Sequence, residues 1–335
     1  MSRQQRPDYA SFQARLKRRS ISVSALLVVA VVATMSAPMW VAVAVVIDAA
    51  RLRWRFPVAR LLLFGWYWSI IECAGVLISF ALWMSGQSNN QVLHYRLMGW
   101  WAGKLMTGLR IAMRASIDVD DTGAFEEGNA VVLCRHASLA DSLVSAWVIC
   151  TKRGLSPRYV LKRELLWDPC LDIVGLRVPN YFVDRGSQQS TNELAAVTRL
   201  SADLAISDVA VIFPEGTRSS DAKRNRAIEK IRDQSPERLA ATEGLRHLIP
   251  VRPSGTLALL DGAPHADLVI AWHTGFDGLS TFGGVITALG RSDVRIVFRA
   301  RRLQRSLLPD VNVAWLDDVW AKMDREVYEQ LRKTS

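Results

Sequence analysis

Two long apolar runs open the chain before any regular alternation of hydrophobic and polar positions begins. From Ile21 to Ile47 no residue is charged, and from Leu61 to Met84 the single charge is Glu72. Each run exceeds the roughly 20 residues a helix needs to cross about 30 Å of hydrocarbon. Trp54, Trp66, Tyr67, Trp68 and Trp83 lie near the expected ends, where amphipathic rings favour the membrane interface. The first run shows no recurrent polar face and is too long for the apolar core of a cleaved signal peptide. Two membrane-embedded segments are therefore expected within residues 21–86. Their topology stays open. Pro38 could fold the first run into a re-entrant hairpin, and two full spans would instead place the arginines of the connecting loop on the outer side.

A different pattern follows. The polar stretch 85–90 (SGQSNN) reads as a turn, and Gln91 to Arg114 carries apolar residues at helical spacing, among them Leu93, Leu97, Trp101, Leu105 and Leu109. That helix either lies along a membrane surface or packs on the domain after it. Beyond it, short apolar runs at Ala130–Cys134, Arg158–Leu161, Asp208–Phe213, Asp267–His273 and Asp293–Phe298 read as strands. Ser138–Lys152 and Thr191–Ser207 read as helices between some of them, and 219–240 reads as an exposed charged helix or loop. Strands alternating with helices predict an α/β domain whose sheet is covered by helices. The expected organisation is a basic tail at 1–20, membrane segments at 21–86 and a catalytic domain at 87–335.

Charge sharpens the membrane reading. The chain carries 42 Lys and Arg against 32 Asp and Glu, a net +10. Ten of the basic residues, and only Asp8 and Asp48 against them, fall in residues 1–60. Because those clusters flank an apolar run, they point to anionic lipid head groups as partner and away from nucleic acid. Cys73, Cys134, Cys150 and Cys170 form no Cys-x-x-Cys pair and no metal spacing with the histidines, and read as buried cytosolic thiols.

Two short strings carry chemistry. Cys134-Arg135-His136-Ala137-Ser138-Leu139-Ala140-Asp141 follows an expected strand and opens an expected helix. On one continuous helix, residues five apart differ by about 140° in azimuth, so His136 and Asp141 can meet only if His136 lies on the loop. With the helix starting at Ser138, Asp141 falls in its first turn, where a capping role competes with a catalytic one. In the catalytic reading His136 is a general base and Asp141 orients its ring. An alcohol attacks a thioester slowly unless its proton is removed in the transition state, and an imidazole is suited to that. The second string, Val211-Ile212-Phe213-Pro214-Glu215-Gly216-Thr217-Arg218, ends another strand in a sharp turn and offers a planar guanidinium to a phosphate.

His136-x4-Asp141 followed by Phe-Pro-Glu-Gly-Thr-Arg resembles the glycerolipid acyltransferases typified by 1-acylglycerol-3-phosphate acyltransferase, over roughly residues 95–325. Lys162-Arg163-Glu164-Leu165 and Phe182-Val183-Asp184-Arg185 resemble that family's middle motif, and Leu248-Ile249-Pro250-Val251-Arg252-Pro253 its later proline block. The resemblance implies a mixed sheet flanked by helices, preceded by the membrane-embedded helical pair. It implies acyl transfer from acyl-CoA or acyl carrier protein to the free hydroxyl of a lysophospholipid, foremost 1-acylglycerol-3-phosphate, with no metal and no cofactor. His136 and Asp141 would be catalytic. Glu215, Gly216, Thr217, Arg218, Lys162, Arg185 and Arg135 would bind substrate, and the domain would face the cytoplasm. One departure stands out: Arg135 occupies the place where the family usually has Asn before the histidine. Lysocardiolipin acylation, or a catalytically silent lipid-binding scaffold, are the alternatives.

Overall fold

The computed structural model describes residues 8–126, 128–138, 140–184, 191–277, 279, 282–290 and 294–334. The N-terminal helices are α1 (Phe12–Met35), α2 (Ala37–Ala50), α3 (Pro57–Met84) and α4 (Gln91–Met113). The sheet region then runs β1 (Ser116–Asp120), β2 (Ala130–Cys134), α5 (Asp141–Ala146), a π-helical turn at Trp147–Lys152, β3 (Ser156–Lys162), α6 (Pro169–Ile173), β4 (Tyr181–Val183) and α7 (Thr191–Ser201). It closes with β5 (Asp208–Ile212), α8 (Asp221–Gln234), α9 (Leu239–Thr242), α10 (Pro253–Gly262), β6 (Asp267–Thr274), α11 (Phe282–Gly290), β7 (Arg295–Leu303) and α12 (Val313–Thr334).

Among the described residues seven strands form one mixed sheet in the order β1-β7-β6-β2-β5-β3-β4. Every pairing is parallel except β6 with β7. The central strand β2 is buried at all five positions, as expected of a strand covered on both faces. Its side chains alternate between two cores. Ala130, Val132 and Cys134 join Val209, Val211, Val269 and residues of α4 and the π-helical turn. Val131 and Leu133 join Ala210, Ile212, Leu268, Ile270 and residues of α7, α10 and α12. A one-residue slip would exchange these faces, so the two cores fix the register. Consequently β2, β3 and β5 all end, together with β6, on the same edge of the sheet.

The strand expectations at 130–134, 158–161, 208–213, 267–273 and 293–298 each correspond to an observed strand, within a few residues at the ends for most. Two strands were not foreseen. β1 alternates Ile117 and Val119 with Asp118, which ion-pairs with Arg295 and Arg299 of the neighbouring strand. β4 is three residues long, too short for its period to register. The helix expected from Ser138 begins instead at Asp141, and its second half is the π-helical turn. The helix expected through Ser207 stops at Ser201.

Two of the described helices, α1 and α3, are long and apolar enough to cross a membrane, with mean hydropathies of 1.6 and 1.8 over their best windows. Pro38 does not make a hairpin. It sits in the first turn of α2, where its missing N–H costs nothing, and the bonds Ser36 N to Val32 O and Trp40 N to Ser36 O carry the ladder through a kink. The reversal comes at 51–56. There Asp48 accepts from Val58 N and Ala59 N, closing the start of α3, and Trp66 Nε1 donates to Thr34 Oγ1 further along. Both α1 and α2 thus pack antiparallel on α3.

α3 in turn lies along the sheet domain over its whole length. Near its start Arg60 donates to the carbonyls of Ala112 and Leu289, and near its end Ser79 O accepts from Arg177. Between them Glu72 accepts from Trp68 and Trp101, and Gly75 leaves room for Cys170 Sγ, which a Cβ would meet at 2.5 Å. The basic stretch expected as a tail is helical from Phe12. Arg18 and Arg19 both bind the fully buried carboxylate of Asp172, so these two cations are spent on the domain rather than on lipid. α4 packs between α3 and the domain, with Leu105, Met106 and Ala102 fully buried.

Candidate active site

Four strand ends converge. His136 follows β2, Lys162 ends β3, Arg218 follows β5 and His273 lies near the end of β6. In open α/β sheets this edge, outside the carboxyl ends of parallel strands, is where ligands sit.

His136 and Ser138, on the loop after β2, are gathered around one carboxylate. Asp141 Oδ2 accepts from His136 Nδ1 at 2.9 Å and from Ser138 N at 2.7 Å, while Oδ1 accepts from Ser138 Oγ at 2.5 Å. Ser138 Oγ itself accepts from Ala140 N. These bonds keep Ser138 and Ala140 out of the helix, which is why α5 begins at Asp141 rather than Ser138. His136 is thereby held on the loop and Asp141 on the first turn, the arrangement in which residues five apart can meet.

Asp141 is fully buried. Burial alone would push its carboxyl up, but the neighbouring His273 and the hydrogen bond from His136 hold it well below the usual carboxylate range. It is an anion at neutral pH. For His136, burial lowers the pKa below its ordinary value, against the hydrogen bond and charge of Asp141, and the cations of Lys162 and Arg218 lower it further. The imidazole is therefore neutral near pH 7. With Nδ1 on Asp141, the proton belongs on Nδ1 and Nε2 is the lone-pair nitrogen. The ring stacks obliquely on Phe213, centroids 4.9 Å apart, and its side chain keeps 12% of its surface exposed. A substrate can reach it.

The turn 214–218 is tied to the same loop. Glu215 Oε1 accepts from His136 N at 2.7 Å and Oε2 from Ile249 N at 3.0 Å. Ser219 N donates to His136 O, and Arg252 N to Pro214 O. Gly216 adopts φ +65°, a left-handed conformation, and a Cβ there would lie 2.8 Å from Arg252 Cδ. Lys223 Nζ reaches back from α8 to Thr217 Oγ1 and Arg218 O.

Two expected substrate contacts are placed differently. Glu215 is 0% exposed and both its oxygens accept from backbone N–H groups, so it is buried as a clamp between the two loops. Burial pushes its carboxyl up to about 8, with the bonds from His136 and Ile249 and the charge of Arg135 acting against that. Arg135 is 1% exposed and points into the domain, donating to His273 O at 2.6 Å and to Asp277 Oδ1 at 2.5 Å. Arg185 lies outside the described residues. Lys162, Gly216, Thr217 and Arg218 remain at the partly exposed edge. Sequence reasoning missed His273, whose Nε2 lies 3.1 Å from Asp141 Oδ1, a close approach off the line of a good hydrogen bond. The one signal available was a histidine at the end of an otherwise apolar strand.

Comparison with known proteins bears on this arrangement. Residues 116–252, which hold both motif strings, match the family described as Acyltransferase. The fold is shared with the crystal structure of the 1-acyl-sn-glycerophosphate (LPA) acyltransferase PlsC from Thermotoga maritima, with a TM-score of 0.54 and 14% identity over 80% of this chain and 95% of that one. A search of curated protein sequences finds no match.

Proposed function

With an acyltransferase-family region at residues 116–252 as the premise, we propose that this chain transfers a fatty acyl group from a thioester of CoA or acyl carrier protein to the hydroxyl of a lysophospholipid, foremost 1-acylglycerol-3-phosphate. The observation that carries the reading is a neutral, partly exposed imidazole, backed by a buried carboxylate and close enough to two cations for them to depress its basicity. A base beside fixed positive charge suits an acceptor that brings its own phosphate.

In the proposed reaction His136 Nε2 takes the proton of the acceptor hydroxyl as its oxygen attacks the thioester carbonyl carbon. The tetrahedral intermediate collapses with cleavage of the C–S bond, and the leaving sulfur takes the proton back from the imidazolium. Asp141 fixes the tautomer and stabilises that imidazolium, a role a buried and hydrogen-bonded carboxylate performs without itself being protonated. Arg218 and Lys162 hold the acceptor phosphate, and Thr217 and Gly216 shape the edge beside it. Positioning both reactants this way supplies part of the barrier reduction by proximity, on the order of several kcal/mol. Glu215 and Arg135 act one step back, by fixing the loops. The chain's Arg135 turns away from the ring, so its presence where the family usually has Asn leaves the His136–Asp141 contact intact. That observation favours an enzyme over a silent scaffold.

Membrane attachment follows from the substrates. A lysolipid and its product remain in the bilayer, and drawing them into water costs about 0.8 kcal/mol per methylene. Large apolar side chains of α1 and α2, including Val28, Val32, Met35 and Val46, are exposed on the hairpin. We place this hairpin, residues 12–84, in the membrane, with the domain from residue 91 on the cytoplasmic side. Because α3 is held by the domain along its length, a shallow insertion lying along the domain fits better than two spans projecting from it.

The test is thiol release from oleoyl-CoA by the purified full chain in lipid–detergent micelles, with products identified by mass spectrometry. Lysophosphatidate is expected to stimulate release and yield phosphatidate. Stimulation by lysocardiolipin alone would move the acceptor assignment, and release unaffected by any lysolipid would overturn the proposal.

A further inference from the structure

Asp141 stands between two histidines, and only one of them has a place in the chemistry above. Its Oδ2 faces His136 Nδ1 at 2.9 Å, and its Oδ1 faces His273 Nε2 at 3.1 Å. Both His273 and Asp141 are fully buried. Neither ring nitrogen of His273 makes a well-aligned hydrogen bond among the described residues, so what offsets the lost hydration of this imidazole is the Asp141 charge 3.1 Å from Nε2, whereas an apolar side chain would fill the same space freely.

His273 is also held in place with some care. β6 pairs with β2 in parallel, and Arg135 N donates to Ala271 O at 3.0 Å, continuing that ladder to the loop that bears His136. The Arg135 guanidinium then grips the carbonyl of His273 and the carboxylate of Asp277, which in turn accepts from Gly275 N at 3.3 Å. Gly275 makes this return possible. Its φ is +100°, and a Cβ would lie 2.4 Å from Arg295 O. Phe276 closes the ring's edge, centroids 5.8 Å apart and nearly perpendicular. The residue that departs from the usual Asn before the catalytic histidine thus secures the second histidine.

We propose that His273 is a positioning residue for the His136–Asp141 pair, its Nε2–H set against Asp141 Oδ1 so as to fix the carboxylate's orientation and draw off part of its charge. The effect on rate rests on the acyl-transfer reading above; the effect on His136 does not. The groups facing His136 are Asp141 from α5, Lys162 from β3 and Arg218 from the loop after β5. Those around His273 are Asp141, Arg135 and Asp277. Glu215 also contributes to the field at this cluster, through its coupling to Arg135 and Asp141. Removing His273 leaves Asp141 a less compensated anion, and a less compensated anion holds a proton on His136 more tightly.

The test has two arms. In the full chain labelled with 13C-histidine, the His136 titration midpoint is read by NMR and assigned with His136→Gln. His273→Leu is expected to raise that midpoint by about one pH unit, the size of shift a nearby charge or hydrogen bond produces. His273→Gln, whose amide nitrogen comes near the position of Nε2, should return it to within about 0.3 unit, a small fraction of that effect. In the thiol-release assay the acid limb of kcat should move upward in the same variant, so that kcat well below the His136 midpoint falls on the order of tenfold, while KM for lysophosphatidate stays within about twofold, as expected when binding contacts are untouched. If His273→Leu does not fold, His273→Asn, polar but too short to reach Asp141, serves in its place. A folded variant with an unmoved His136 midpoint and acid limb overturns the assignment. A wild-type chain that binds but transfers nothing overturns the proposed function instead, and leaves the NMR arm to decide this one.

Discussion

Glu215→Gln separates a clamp from a ligand. The carboxyl group receives two backbone N–H donors, from His136 at 2.7 Å and Ile249 at 3.0 Å, in a site with no exposed surface. A glutamine keeps one acceptor oxygen, and its NH2 must face the other N–H. One buried donor is left unsatisfied, at a cost of about 1–3 kcal/mol. At the middle of that range the melting temperature should fall by roughly 4–8 °C for a domain of this size. With the glutamine's amide oxygen turned to Ile249 N, the loop bearing His136 loses its tie to residue 215 and keeps the bond from Ser219 N to His136 O. Even a shift near 1 Å at a reacting group can cost on the order of a hundredfold in rate. Thermal unfolding, followed by a dye or by circular dichroism, and steady-state kinetics of thiol release give the two readouts. The expected result is lower stability and lower kcat with KM for the acceptor nearly unchanged. A rise in KM with unaltered melting would refute the clamp and return Glu215 to the acceptor, the role the family resemblance implied for it.

Three further outcomes follow from the same geometry. Asp141→Asn should keep the fold but disturb the His136 tautomer, lowering kcat by on the order of 10³–10⁴-fold, as in comparable triads; wild-type-like kcat would contradict the base assignment. Because the base must be neutral and its pKa lies below the ordinary histidine value, activity should persist as pH falls through 6.5 and be lost only below it. A rate that already halves above pH 7 would show the opposite sign. Replacing Arg18 and Arg19 together by Ala leaves the buried Asp172 carboxylate unpaired, which costs about 3–5 kcal/mol; limited proteolysis should then release the N-terminal hairpin, and an unchanged cleavage pattern would deny that this pair anchors it.

The parts legible in the sequence are those set by local pattern. β2 and β5 read correctly because fully buried strands are short continuous apolar runs, and the loop placement of His136 followed from the five-residue spacing alone. What the sequence could not supply was the direction in which a charged side chain turns. Glu215 and Arg135 look like surface chemistry beside their motifs, yet each is consumed by contacts from residues 34 to 142 positions away. His273 was hidden for a related reason. Nothing local says that β6 lies beside β2, so a histidine at the end of one strand gave no sign of facing a carboxylate after the other. At the N-terminus, composition marked the apolar segments, but the kink at Ser36 and the reversal at 51–56 depend on Asp48 closing the next helix, a contact made only in the folded hairpin.

The most direct measurement of the central claim is phosphatidate formation from oleoyl-CoA and lysophosphatidate by the wild-type chain and by His136→Ala, at equal and verified fold. The account predicts product from the first and a loss of at least about a hundredfold in the second, the usual contribution of a positioned general base. Equal product from both would mean that the imidazole held by Asp141 is not the base, and the mechanism built on it would have to be abandoned.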